Sequence, residues 1–407
     1  YDHHPDLHSF PTRRSSDLPD EHGNNRFIYF ADMLAGKGYN VEIVTTDFSH
    51  KAKKTRELPD AAFSDLSYKY TMLKEPGYNK NVSLKRFYSH YMFGKSLSKY
   101  LKDRKKPDIV YISVPSLDVG YVAAKYCKKN KIPLIVDIQD LWPEAFQMVF
   151  DVPLIKDIVF YPLKRKAEIA YKAADKLIAV SDTYLKRGLL VNNRDKEGLC
   201  VFLGTDLEAF DEAMRKFDVI KPRDEIQIVY IGTLGHSYNI NLVSDALAIL
   251  KEKGYENIVF TVVGDGPKID DFKAYALKLN INCKFTGRVK YNEMIGYLKS
   301  ADIAVNPITK GAAQSIINKH GDYAAAGLPV VNTQENAEYK SLLQKYKCGI
   351  NCESGTAQEV ADAIRHLIDN PSLSEEMGKN SRIMAEDLFD RCKTYKRIVM
   401  EIDKILS

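Results

Sequence analysis

Short apolar runs recur along the chain, and most are followed by a stretch in which apolar residues return every third or fourth position. The first kind of segment reads as a strand buried on both faces, the second as an amphipathic helix. In the first half the strands fall at 40–46, 108–114, 133–138 and 176–181, with helices over 25–36, 117–129 and 154–174 and a short one after Asp182. In the second half strands lie near Ile226, Ile258, Cys283, Asp302 and Pro329, each with a helix behind it, and late helices cover 357–368, 373–389 and 391–405. Apolar strands alternating with helices predict an α/β protein whose parallel sheets are covered on both faces. A polar, charge-rich stretch at 204–225 parts the halves, and 407 residues suit two domains of about 200 each.

Residues 1–18, YDHHPDLHSFPTRRSSDL, lack this periodicity, and HSFPTRRSSDL resembles translated sequencing-adapter sequence. The segment is expected to be a non-native or disordered leader, and its His3-His4 pair is not read as a metal site. The first domain then opens on a helix, so its first strand, usually a central one in a doubly wound sheet, is expected to be missing.

Four segments carry the chemistry. In SIINKHGDYAAAGLPVVN, Ser315 to Asn332, a polar loop runs into a short small-residue helix over 318–326, which Gly327 and Pro329 stop before a strand at 329–332. A helix N-terminus offers unpaired N–H groups to an anion, and Ser315, Asn318, Lys319 and Asp322 lie three or four apart on one edge of it. Upstream, VVGDGP (Val262 to Pro267) and IVYIGTLGHSYN (Ile228 to Asn239) each take an apolar strand into glycine turns. Two strand-to-glycine turns and an anion-competent helix in one βα array point to a nucleotide site at the carboxyl ends of parallel strands. Neither turn has the full G-x-G-x-x-G fingerprint, which disfavours a classical NAD site. In the first half, VDIQDLWPEAF follows a strand and brings Asp137, Gln139, Asp140 and Glu144 to its carboxyl end, with the single tryptophan, Trp142, among them.

Charge and cysteine content narrow the setting. The net charge of +5 is unevenly placed: nine Lys or Arg and one acid, Asp103, fall between Lys80 and Lys106, interleaved with aromatic and aliphatic residues. That spacing suits a helix whose apolar face is core and equally a helix resting on anionic lipid headgroups. No nucleic-acid-binding motif accompanies it, so nucleic acid is not an expected partner. The six cysteines are scattered, and Cys348 and Cys352 lack Cys-x-x-Cys spacing, which fits a reduced, cytoplasmic setting. No run approaches the roughly 20 apolar residues that span a bilayer.

The succession GTLG, VVGDGP, FTGRV (Phe285 to Val289), LKSADIAVNP (Leu298 to Pro307) and S-x-x-N-K-x-x-D-Y-A-A-A-G-x-P-V-V resembles the retaining GT-B glycosyltransferases of family 4, especially the capsule and O-antigen amino-sugar transferases. The resemblance implies two Rossmann-like domains with parallel sheets facing across a cleft: an acceptor-side domain at 19–215, a nucleotide-sugar-binding domain at 216–385, and a C-terminal helix at 386–407 that packs back on the first. It implies a bacterial enzyme of surface-glycan (capsule or lipopolysaccharide) biosynthesis. Such an enzyme moves a sugar, expected to be a UDP-linked N-acetylamino sugar, to an undecaprenyl-diphosphate-linked or glycan acceptor, peripherally on the inner face of the cell membrane. Donor contacts carried over are Gly232, Thr233, Gly235, Gly264, Asp265, Gly266, Arg288, Ser315, Asn318, Lys319 and Asp322, with the carboxylate of Asp322 on the ribose. Asp140, Glu144 and Lys319 take catalytic roles, and EHGNNRF brings His22, Asn24, Asn25 and Arg26 to the acceptor. Three departures stand out. Gln314 replaces the family's first acid, and Thr233 and Tyr238 replace an Arg and a Lys, which shifts phosphate neutralisation onto Lys319 and Arg288. No Asp-x-Asp clasp is evident, so no metal or other cofactor is expected. Two other readings stay open: a non-hydrolysing nucleotide-sugar epimerase, and a non-catalytic nucleotide-sugar-binding partner subunit marked by Gln314.

Overall fold

The computed structural model describes the backbone of residues 6–10 and, with few side-chain exceptions, residues 26–50, 52–57, 65–80, 83–114, 116–144, 156–219, 221–222, 224–312, 315–353 and 355–407. The chain divides into two compact units, Tyr1–Val201 with Tyr395–Ser407, and Phe202–Thr394.

The first unit is built on β1 (Asp6–Phe10), α1 (Arg26–Gly36), β2 (Asn40–Thr46), β3 (Lys69–Leu73), α2 (Leu84–Lys102), β4 (Ile109–Val114), α3 (Leu117–Asn130), β5 (Leu134–Ile138), α4 (Lys156–Ala173), β6 (Lys176–Ala179), α5 (Asp182–Leu189) and β7 (Leu199–Cys200). Its parallel sheet runs β3-β2-β1-β4-β5-β6-β7. The expectation of a missing first strand is thereby corrected. Asp6–Phe10, inside the supposed leader, fills the central position, pairing Leu7 with Val41 on one side and with Ile109 on the other. Five residues are too few to show a period, but a slot between two strands satisfies their backbone groups on both edges. Between Phe48–Ser49 and Lys54–Thr55 a two-stranded antiparallel turn follows β2. The helix α1 buries Phe27, Phe30, Ala31 and Leu34, spaced as one helical face, against the sheet. Serine side chains start two later helices, Ser83 accepting the Arg86 N–H and Ser181 the Tyr184 N–H.

The second unit comprises α6 (Leu207–Lys216), β8 (Ile226–Ile231), α7 (Ile240–Glu252), β9 (Ile258–Val263), α8 (Ile269–Lys278), β10 (Cys283–Gly287), α9 (Tyr291–Lys299), β11 (Ile303–Asn306), α10 (Asn318–Ala325), β12 (Val330–Asn332), α11 (Ala337–Tyr346), β13 (Gly349–Asn351), α12 (Ala357–Asp369) and α13 (Pro371–Met384), then a π-helical turn (Ala385–Phe389) and the first turn of α14 (Arg391–Leu406). Its parallel sheet runs β10-β9-β8-β11-β12-β13. The division falls between Val201 and Phe202 rather than at 215, because Leu207, Phe210 and Ala213 of α6 are buried in the second core. The far end of α14 gives Tyr395, Ile398, Val399 and Ile402 to the first core. Among the described residues no helix is long and apolar enough to cross a membrane.

Candidate functional site

The second unit gathers most of the expected donor residues at the carboxyl ends of its strands. β8 ends at Gly232, whose φ of +139° only glycine adopts readily and whose N–H continues the ladder to Val263 O at 3.0 Å. β9 ends at Gly264, and a Cβ there would lie 1.8 Å from Gly232 O, while one at Gly266 would lie 2.3 Å from Leu234 O. These two glycines therefore let one turn rest on the other. The close approach braces the Gly232 turn against the turn that follows β9. Gly235 has open space around it, with Thr233 Cγ2 at 3.9 Å as the nearest atom to an added Cβ. Asp265, Arg288 and Asn318 stand exposed on their turns, and Ser315 is buried with its carbonyl accepting from Gln334 Nε2 at 3.0 Å. Gln314 lies outside the described residues.

Lys319 is the least expected element. It lies in the first turn of α10, where seven of eight residues are buried, so the expected polar edge is almost wholly interior. Its Nζ is buried without a hydrogen-bond partner and sits 4.2 Å from the ring centroids of both Tyr230 and Tyr238. Burial holds its pKa well below the ordinary lysine value. A Cβ on Gly232 would come 3.6 Å from this nitrogen, so the missing side chain keeps the cation open to the exposed Gly232-Thr233 backbone. An ammonium between two aromatic faces is attracted by both quadrupoles but keeps its net charge. Tyr238, which reads as a lost cation in the sequence, is one wall of the cradle that holds the cation supplied from α10.

Asp322, one turn on, is also buried. Its Oδ1 accepts from Tyr291 OH at 2.7 Å and from Thr205 Oγ1 at 3.1 Å, and neither bond uses Oδ2. Burial raises its pKa, and those two bonds and Arg391 oppose the rise. His320 stacks on Tyr339 at 3.7 Å and accepts the Ile317 N–H at Nδ1, fixing the start of α10. Its pKa is pushed well down, first by burial and then by Lys319. Beneath that start, Asn306, Asn332 and Asn351 face one another across three strands, each amide donating to the next at 2.8 Å. Tyr230, Thr205, Tyr291 and this asparagine ladder escaped the sequence reading. The three strand-terminal asparagines were its one available signal. A cavity of about 680 Å³ lies at the opposite edge of this sheet, near Asp302, Gly327 and Pro371, away from all these residues.

In the first unit Arg26 departs from expectation. It is buried, its Nε donates to Asp137 Oδ2 at 3.1 Å and its Nη1 to Val201 O at 3.0 Å, so it ties α1 to the sheet rather than meeting an acceptor. Tyr111 OH and Gln139 Nε2 complete the shell of that carboxylate oxygen at 2.9 and 3.0 Å. His22, Asn24 and Asn25 lie outside the described residues. Glu144 accepts from Arg187 Nε at 2.6 Å and is thus neutralised. Asp140, by contrast, accepts the Leu141 N–H at 3.0 Å and makes no ion pair among the described residues. Trp142 is buried, with the Arg86 guanidinium 4.4 Å from its ring centroid and His90 stacked at 5.3 Å.

A glycine turn, a buried lysine without an ion pair and a helix start lie together at the carboxyl edge of a parallel sheet, the edge at which α/β proteins of the nucleotide-binding type hold their ligands. The chain belongs to the glycosyltransferases. Residues 23–189 match Glycosyltransferase Family 4 and residues 211–384 match Glycosyl transferases group 1. An uncharacterised glycosyltransferase of Methanocaldococcus jannaschii is 25% identical over 248 residues, covering 60% of this chain and 61% of that one. The capsular polysaccharide biosynthesis glycosyltransferase CapM of Staphylococcus aureus is 24% identical over 247 residues, covering 58% and 63%. These matches thus span about three fifths of the relatives' lengths. Anabaena HepE, solved in complex with UDP, superposes with a TM-score of 0.68 at 14% identity over 98% of this chain and 100% of that one. The fold is GT-B.

Proposed function

We propose that the protein transfers a sugar, with retention at the anomeric carbon, from a UDP-sugar to a phosphate-linked lipid or glycan acceptor in surface-polysaccharide assembly. The observation that carries this reading is Lys319, a buried cation held by Tyr230 and Tyr238 beside the exposed Gly232-Thr233 turn. A departing nucleoside diphosphate gathers negative charge, and a preorganised cation with a helix N-terminus stabilises it as that charge develops. Lys319 and α10 would thus do the work of a metal, and we infer that transfer is metal-independent. Asp322 Oδ2 would accept from the ribose, and Asp140 would orient acceptor or donor sugar while the leaving phosphate takes the acceptor proton. The UDP complex of HepE and the capsular role in CapM's name support the donor and the pathway class.

A membrane-side acceptor is supported by the surface. Among the described residues, six of the eleven exposed large apolar side chains are Leu84, Tyr88 and Tyr91 on α2 and Ile158, Val159 and Tyr161 on α4. Tyr91 and Tyr161 line one groove with Lys95, Arg165 and Lys166. The opposite face of α2 packs Phe93, Leu97 and Leu101 inward, so this helix serves core and surface at once.

The test is donor turnover: UDP-sugars incubated with polyprenyl-diphosphate-linked sugar acceptors and chelator, with anomeric configuration read by NMR. An epimerised donor formed without acceptor would replace the transferase reading with an epimerase. Absence of UDP binding would refute the donor site itself.

A further inference from the structure

We propose that Tyr323 is a positioning residue of the donor site: its phenol hydroxyl, inserted between β8 and β11, holds the Gly232 turn where Lys319 and the start of α10 can meet one diphosphate. The inference rests on the donor reading above and says what aligns that site.

β8 and β11 run as a regular parallel pair through Ile228–Ile303 and Val229–Ala304. The next bond of such a ladder would pass from the Ile231 N–H to Val305 O. Instead the Ile231 N–H donates to Tyr323 OH at 3.0 Å, and that hydroxyl donates to Val305 O at 3.1 Å. A side chain of α10 is thus threaded into a sheet bond, and the two strands stand a hydroxyl apart at their carboxyl ends. On its other edge β8 stays regular, with Ile231 opposite Val263 and the Gly232 N–H on Val263 O. The strand therefore reaches its turn anchored to β9 on one side and to α10 on the other. Burial keeps the phenol's pKa above its ordinary value, so it stays a donor across the neutral range.

What depends on this link is the anion cradle. Lys319, Asp322 and Tyr323 share one face of α10, at spacings of three and four. Lys319 lies against Tyr230, whose OH donates to Thr233 O at 2.8 Å and closes the turn from within. Between Tyr230 and Gly232 stands Ile231, the residue that Tyr323 holds. A diphosphate has to be met by the lysine and helix start from one element and by the exposed turn backbone from another, distant in sequence. Such a site tolerates about 0.5 Å of misplacement, and about 1 Å costs on the order of 100-fold. Tyr323 is fully buried and spans the two elements. A phenylalanine would keep the ring in the core without bridging the strands, so the turn could shift relative to α10.

The whole chain and its Tyr323→Phe, Lys319→Met and doubly substituted forms are titrated calorimetrically with UDP, and with inorganic pyrophosphate alongside, well below their melting temperatures. Tyr323→Phe should weaken UDP about tenfold and melt roughly 2–12 °C lower, the melt recording that the variant is folded. The deciding figure is the effect of the same change in the Lys319→Met background, where UDP affinity should move by less than about twofold. A hydroxyl that aligns the cation has nothing left to align once the cation is gone, whereas one that only stabilises the core would act alike in both backgrounds. Equal losses in the two backgrounds, or a Tyr323→Phe affinity within about twofold of wild type, would overturn the proposal. Wild type that binds pyrophosphate but not UDP would strike the donor reading, and the same cycle read on pyrophosphate would still decide the role of Tyr323. Binding of neither would overturn both.

Discussion

Replacing Lys319 by methionine keeps the apolar body of the side chain between Tyr230 and Tyr238 and removes only the charge, so it tests stability and ligand binding in opposite directions. In the free protein the ammonium is buried without a hydrogen bond. Desolvating such an ion costs several kcal/mol, and two desolvated cation–π contacts return roughly 2 kcal/mol each. The net strain relieved by Lys319→Met is about 1–3 kcal/mol, and for a unit the size of Phe202–Thr394 each kcal/mol shifts the melting temperature by roughly 2–4 °C. The variant should therefore melt higher. It should also bind UDP about 10- to 150-fold more weakly, the loss of one charge-assisted contact of about 1.5–3 kcal/mol. Scanning calorimetry without ligand and titration calorimetry with UDP give the two numbers. The pH dependence supplies a third. Burial depresses the Lys319 pKa in the free protein and a bound diphosphate restores it, so wild type takes up protons on binding and its UDP affinity falls as pH rises from the depressed pKa towards 10.5. Over the same window the unfolded chain holds more protons than the folded one, so wild-type stability rises with pH. Both slopes should flatten in the variant. A lower melting temperature together with unchanged UDP affinity would refute the reasoning.

Asp322→Ala removes the acceptor for Thr205 and Tyr291 as well as the ribose contact, so UDP affinity should fall about tenfold and stability by about 1–3 kcal/mol. Tyr291→Phe should lower stability with little change in UDP affinity; the reverse pattern would place Tyr291, not Asp322, at the ribose. Gly264→Ala puts a Cβ 1.8 Å from Gly232 O and should cost more than about 4 kcal/mol, yielding insoluble or unfolded protein, whereas Gly235→Ala meets only open space and should fold normally. Equal thermal stability of the two alanine variants would contradict the stacked-turn geometry. Ile158→Asp with Tyr161→Asp should abolish sedimentation with anionic vesicles while leaving UDP affinity intact; undiminished sedimentation would exclude α4 from the membrane face.

What the sequence made legible, and what it hid, follows from the range of the interactions. The turns after β8 and β9 and the bounds of α10, read as 318–326 and found at Asn318–Ala325, are local events governed by glycine, proline and a change of period. Arg26 read as an acceptor-side residue because its partner Asp137 is 111 positions away. The strand Asp6–Phe10 was invisible because its stability comes from neighbours on both sides, not from its own pattern. The tyrosine cradle was hidden for a related reason. Tyr230 reads as one more strand residue and Tyr238 as a substitution, and only the fold brings the lysine of a distant helix between them.

The cations of this chain sort by what holds them. Arg26 lies against Asp137, and Arg382 grips Asp211 with two bonds of 2.6 and 2.7 Å while also tying Glu386; these charges are consumed by the scaffold. Lys319 rests instead on the faces of Tyr230 and Tyr238. A protein selected only for stability gains little from the second arrangement, since a buried cation without a counter-charge is better replaced by a hydrophobe. The arrangement makes sense when a ligand brings the missing negative charge. A nucleoside diphosphate donor would bring it to Lys319. By that logic the charge-removing substitution at Lys319 should stabilise the unliganded chain, whereas Arg26→Met, which strands Asp137 in the interior, should destabilise it by about 3–5 kcal/mol. Thermal melts of the two variants side by side would decide it, and loss of stability at both positions would show that Lys319 belongs to the scaffold after all.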